Sequence, residues 1–184
     1  MRKLLCALPL LFAVPLIAQS LPQIPGTIEV ARVTAGTYNT DPSHTLIGWR
    51  VSHFGFNDYF GIFGDVTGTL ILDPAKLNEA KVDITIPVSK VTTASAGLTG
   101  HLLRAGKDGG KADFFGPAPT DAKFLSTSVV ANGTTAKITG NLTLNGVTKP
   151  VVLDTKFLVL ATTRLIGKPL SAFTQRPSSS AASL

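Results

Sequence analysis

His44, His53 and His101 are the three histidines of the chain and the first residues to consider for chemistry. Three imidazoles suffice to hold a zinc or copper ion. Their spacing argues against it, because no pair falls at the HxH or HExxH separation that puts two ligands on one face. His44 follows Asp41 and Ser43, a setting that equally suits a hydrogen bond holding a turn. Asp41, Asp65 and Asp113 are the carboxylates available for acid–base work. Turn capping accounts for Asp41, and Asp113, just before Phe114 and Phe115, reads as a helix or loop cap. Nucleophilic catalysis has less to work with. The single cysteine, Cys6, lies in the apolar N-terminal run. The serines fall in turns or biased runs with no G-x-S-x-G elbow, and there is no P-loop or G-x-G-x-x-G phosphate cradle. We therefore expect no enzyme, no catalytic residues and no cofactor.

The elements that must position these residues are strands. Ile47, Trp49, Val51 and His53 alternate with Gly48, Arg50 and Ser52. Val82, Ile84, Ile86 and Val88 alternate with polar neighbours, as do Ala136, Ile138, Gly140, Leu142 and Leu144. A period of two means a strand with one wet and one dry face. Asn145-Gly146 marks a two-residue hairpin, since both residues tolerate positive φ, and Asn132-Gly133 predicts another between residues 124–131 and 134–144. Gly61, Gly64 and Gly68 lie in one strand pattern and predict a strong bend. Residues 95–104, with Leu98, Leu102 and Leu103 at helical spacing, interrupt the alternation as one short helix. A glycine-rich loop follows it, and then the Phe114-Phe115 pair, which suits a lid or rim. The fold class is all-β: an antiparallel barrel with one short helical excursion.

The ends read differently. Arg2 and Lys3 precede an apolar run over residues 4–17, and Ala18-Gln19-Ser20 supplies small residues at a cleavage site. Residues 1–20 are thus expected to be a cleaved export signal, too short to span a bilayer, which needs about 20 apolar residues. Export follows, with no stable membrane insertion after cleavage. Residues 21–36 read as a leader and residues 37–160 as the folded domain. Residues 161–184, with neither alternation nor turn chemistry, read as an atypical, disordered tail. The formal charge of +6 is concentrated at these ends, in Arg2, Lys3, Arg164, Lys168 and Arg176. The domain between them is near neutral and has no basic patch interleaved with aromatics, so nucleic acid is not an expected partner.

Several ordered blocks resemble the YceI-like family of bacterial periplasmic proteins. They are Tyr38 with Asp41-Pro42-Ser43-His44, the alternating strand ending at His53, and Gly61-x-Phe63-x-x-Val66-x-Gly68. They continue with His101-Leu102-Leu103, Asp113-Phe114-Phe115, Lys123-Phe124-x-Ser126-Thr127 and Gly140 through Pro150. The resemblance covers about residues 37–157. It implies a lipocalin-like barrel and a polyisoprenoid lipid, of quinone or polyprenyl type, as ligand and partner; members of the family can pair as homodimers. Under that reading Ile47, Trp49, Val51, Phe63, Ile84, Ile86, Leu142 and Leu144 would line the tube if their faces point inward. His53, Phe114 and Phe115 would sit near a mouth. The family normally finishes with a further hairpin, often with an Arg-Ser-Asp-Phe-Gly-like run, and residues 165–184 lack it and read like out-of-frame text. The final closing strands are therefore expected to be missing or altered. The alternative reading is a stress-related or metal-binding protein using His44, His53 and His101.

Overall fold

A computed structural model describes residues 30–162 and 169–177 of the chain. Ten strands follow one another: β1 (Gly36–Asn39), β2 (Ile47–His53), β3 (Asn57–Phe63), β4 (Thr67–Leu72), β5 (Lys81–Ile86), β6 (Val91–Thr93), β7 (Ala122–Asn132), β8 (Thr135–Leu144), β9 (Val147–Thr162) and β10 (Pro169–Pro177). One α-helix, α1 (Ala96–Leu103), separates β6 from β7, with short 3-10 turns elsewhere. The fold is antiparallel throughout, as the alternation predicts. Residues 1–20 of the expected signal, and most of the 21–36 leader, lie outside the described residues.

The strands form two sheets. A seven-stranded sheet runs in the order β1-β4-β5-β7-β8-β9-β10, and a three-stranded sheet runs β2-β3-β6. Among the described residues no strand pairing joins them, so the barrel is not closed, in keeping with closing strands that are missing or altered. The three glycines read as one bent strand instead mark a crossing from one sheet to the other. The chain leaves β3 at Phe63, turns through Asp65 at φ 53°, and enters β4 at Thr67. Gly68 then lets β4 and β5 close up. A side chain there would press on the Asp83 carbonyl and stand 2.8 Å from the Ile84 Cα.

The turns follow their residue chemistry. Asn145 (φ 51°) and Gly146 (φ 78°) form the two-residue link between β8 and β9, with Leu144 opposite Val147. The β7–β8 link is shifted one residue from the Asn132-Gly133 expectation. Asn132 pairs with Thr135, and only Gly133 of the intervening Gly133-Thr134 takes positive φ. That is the arrangement in which glycine comes first in the turn. A bulge at Thr127 breaks the β7–β8 register, and beside it the Ser126 Oγ accepts the Val82 N–H at 2.8 Å. Ser95 caps α1, its side chain accepting the Leu98 N–H at 3.2 Å; this is the usual service of a serine at a helix start.

The last part of the chain departs from the expectation of an irregular tail over residues 161–184. Strand β9 runs on to Thr162, and β10 pairs with it from Pro169↔Thr162 to Pro177↔Leu153. An exposed strand edge is a template that binds backbone through its N–H and C=O groups, and it does not require an alternating partner sequence. Residues 163–168 and 178–184 lie outside the described residues.

The core is two connected clusters. One gathers Phe63, Val66, Ile86, Val88, Val91, Leu102 and Ala122; the other gathers Val82, Phe124, Val129 and Ile138. Ile84 and Leu142 pack against both, so a single apolar surface crosses the seven-stranded sheet and reaches the helix and the small sheet.

Candidate functional site

The apolar inner surface is the site that the fold builds. Strands β5 and β8 project Ile84, Ile86, Leu142 and Leu144 to one side because side chains two apart share a face. From the small sheet, β2 contributes Ile47 and Trp49, and β3 contributes Phe63. From above, α1 adds Leu98, Leu102 and Leu103, and the segment after it adds Phe115. The helix and that segment are tied together. The Leu102 carbonyl, free at the helix end, accepts the N–H groups of Phe115 (3.0 Å) and Gly116 (3.3 Å). The Phe115 ring then meets the Phe63 ring edge-on at 6.1 Å.

Eight of the eleven expected lining residues meet in this cluster: Ile47, Trp49, Phe63, Ile84, Ile86, Phe115, Leu142 and Leu144. Val51, His53 and Phe114 do not. Val51 is exposed opposite Tyr59, and His53 lies at the far end of the β2–β3 hairpin. Phe114 is half out in solvent, with its ring edge-on to His101 at 5.2 Å. His53 and Phe115, both expected near a mouth, lie apart. Phe115 packs at the Phe63 end of β3, whereas His53 pairs with Asn57 at its other end. The alternation of β2 continues past Trp49 in sequence, but no third strand covers it there, and periodicity alone does not reveal where a sheet stops.

Sequence reasoning passed over several contributors. Val66 and Val88 are the most deeply buried large side chains, yet Val66 sits in the crossing between sheets and Val88 in a 3-10 turn after Pro87. Val66 has no period to betray it, whereas Val88 ends the alternation that begins at Val82. Leu98, Leu102 and Leu103 did carry a signal, their helical spacing, which marks a face turned toward the core.

Trp49 has a particular geometry. Its ring lies across Gly61, its partner on β3, where a side chain on the glycine would strike the indole. The indole Nε1 is buried and meets no acceptor among the described residues. A buried donor left unmet costs about 1–3 kcal/mol. Two open depressions occur elsewhere, one bounded by Gly36, Ile71, Leu72 and Lys76 and one by Asn78, Lys81 and Ser126. Neither includes any of the eleven expected residues.

The histidines do not converge. Among the described residues no three His, Cys, Asp or Glu side chains are grouped as a metal shell. The His44 Nδ1 meets the Asp41 carboxylate at 2.6 Å, and Asp41 also accepts the Ser43 N–H at 3.0 Å. The hydrogen bond from His44 is the main reason the Asp41 carboxyl titrates below its usual range. His101 and Arg104 both reach one oxygen of Asp113 at 2.9 Å, and they lower its pKa in that order of importance. Asp41 makes the turn contact expected of it, whereas Asp113, expected as a helix or loop cap, pairs with the side chains of His101 and Arg104.

The fold and its inner surface define a class: an all-β antiparallel protein whose two sheets share one apolar interior beneath a short helix. Residues 38–176 match the YceI-like domain, and the chain belongs to that family. A UPF0312 protein of Pseudomonas paraeruginosa is 42% identical over 128 residues, which cover 67% of this chain and 63% of the relative. Protein YceI of Salmonella arizonae is 38% identical over 127 residues, with the same two coverages. The chain thus spans a little under two thirds of the length of these relatives. Among solved structures, a mutant Campylobacter jejuni YceI protein carrying a monobromobimane guest aligns with TM-score 0.51 at 31% identity. That alignment covers 74% of this chain and 76% of the other.

Proposed function

We propose that the protein is an exported carrier that holds a polyisoprenoid chain, of a quinone or polyprenyl lipid, against its apolar inner surface in the periplasm. The observation that carries this reading is the set of half-buried side chains around Phe63: Ile47, Trp49, Ile84, Leu98, Leu142 and Leu144 come from separate elements yet face one interior. Each has apolar surface left to cover, and a flexible alkenyl chain covers it without needing a matched polar partner. Affinity would come from burial, at about 0.8 kcal/mol per CH₂ removed from water. Membership in a family of binding proteins supports the same reading, and the N-terminal run over residues 4–17 supports export. Among the described residues no group of three histidines and carboxylates favours the metal alternative.

The test is purification of the exported form without detergent, followed by mass spectrometry of an organic extract. A co-purifying isoprenoid in near-stoichiometric amount is expected. Trp49→Asp, which puts a charge into the cluster, should abolish lipid retention while export continues. A folded wild-type protein that yields no isoprenoid overturns the carrier reading. Unchanged lipid in the Trp49→Asp variant removes Trp49 from the binding surface.

A further inference from the structure

The hairpin β2–β3 projects beyond its sheet. β3 pairs with β6 only over Gly61, Ile62 and Phe63, so the pairs from Arg50↔Phe60 to His53↔Asn57 have no third strand among the described residues. A two-stranded ribbon standing in water is marginal by itself and is ordinarily polar on both sides. This one is not. Phe54 is 84% exposed, Phe56 89% and Phe60 61%, with Val51 exposed beside them.

The turn at its apex is unusual in the same direction. The Phe56 N–H donates to the His53 carbonyl at 3.1 Å, and the two central residues, Phe54 (φ 54°) and Gly55 (φ 77°), both take positive φ. Such a turn favours asparagine or aspartate in its first central position. A phenylalanine there is held in a sparsely populated conformation, and strain of this kind is found where a side chain must be displayed. From Val51 to Asn57 there is no Lys, Arg, Asp or Glu. The first charges back from the apex are Arg50 and Asp58, which pair with each other at 3.3 Å.

We propose that this arm docks the protein on a phospholipid bilayer, with Phe54 and Phe56 entering the acyl boundary. The order of groups along the arm matches the order of an interface in depth. Two phenyl rings come first, then His53; behind it the Tyr59 ring, edge-on to His53 at 6.5 Å, shares its level with the Arg50–Asp58 ion pair, where the arm meets water. Rings with an apolar body and a polar edge settle at that boundary. The apex is convex and bears no charged side chain that would specify a protein partner. Its role in loading or unloading an isoprenoid rests on the carrier reading above; the docking does not.

The experiment is flotation of the full exported protein with phosphatidylcholine vesicles at low and high salt, beside the double variant Phe54→Ser, Phe56→Ser. The wild type is expected to float at both salts, because no charge attraction is involved. The double variant should float about tenfold less or worse, each buried ring being worth more than a factor of ten in partitioning. Circular dichroism and thermal unfolding of the two proteins should agree. Should the double variant fail to fold, Phe54→Asn takes its place: it suits the positive φ, so it should be at least as stable as wild type and yet float less. Four outcomes overturn the proposal. They are a wild type that does not float, one that floats only with phosphatidylglycerol at low salt, variants that float as well as wild type, and a wild-type dimer that the double variant dissolves, which would make the arm a self-association surface. The Trp49→Asp variant separates the two readings, since it should lose lipid and still float. Flotation that depends on the phenylalanines, with no isoprenoid in any preparation, leaves the docking standing and removes the carrier.

Discussion

Both sheets lay an aromatic ring over a glycine of the neighbouring strand, and the two versions differ in what surrounds them. In the large sheet Phe124 covers Gly140; in the small sheet Trp49 covers Gly61. Phe124 is buried and has hydrogen-bonded strands on both sides, β5 and β8. Trp49 is half-buried on β2, which ends the order β2-β3-β6, and its Nε1 has no acceptor among the described residues. A methyl group on Gly140 would meet not only the Phe124 ring but also the Leu125 carbonyl oxygen at 2.5 Å. On Gly61 the three atoms it would meet first all belong to the indole, the Nε1 among them at 2.8 Å. One device therefore serves two purposes. In the large sheet it locks two strands and a core residue together, and in the small sheet it seats a ring that still has room to move.

Truncation gives the largest contrast. Phe124→Ala should destabilise the fold by about 3–5 kcal/mol in chemical denaturation, the range for deleting a buried aromatic. A loss below that range would place the real core elsewhere. Next in size are the glycines. Gly140→Ala should cost about 1–3 kcal/mol, because backbone must shift. Gly61→Ala should cost no more than about 1 kcal/mol, since a side chain at a sheet edge can swing aside. Equal costs at the two positions would break the comparison. The smallest effect concerns the segment over α1. The Asp113 carboxyl titrates below its unfolded value, so its contribution is present at neutral pH and is lost as pH falls through the folded pKa. The protection of the Phe115 and Gly116 amides, which bond to Leu102, against hydrogen exchange should fall in acid when each rate is compared with the intrinsic rate at that pH. Asp113→Asn should produce the faster exchange already at neutral pH. Exchange that ignores both changes would show that the helix end alone holds the segment.

The large sheet was legible because its residues obey one rule at a time. Val82, Ile84 and Ile86 alternate, Asn145-Gly146 turns, and Leu142 and Leu144 fall on the dry side. The small sheet was less so. Ile47 and Val51 have the same period and the same chemistry, but Ile47 packs against the cluster while Val51 lies beyond the reach of β6. Where a sheet ends depends on the length of a strand more than 30 residues away in sequence, which no local pattern states. Val66 was hidden for another reason: it is buried at a corner, where periods break. The pairing of β10 was illegible because strand addition is a backbone interaction and leaves little mark on side-chain order.

One consequence follows from where the indole sits. The chain has a single tryptophan, and that ring lies on Gly61 at the seam between the small sheet and the shared interior. Its emission therefore reports on one place alone. Under the proposed carrier function, a lipid chain entering the interior would replace water next to the ring and move the emission to shorter wavelength, whereas unfolding moves it the other way. The protein carries its own optical gauge of occupancy, so titration with an isoprenoid needs no label.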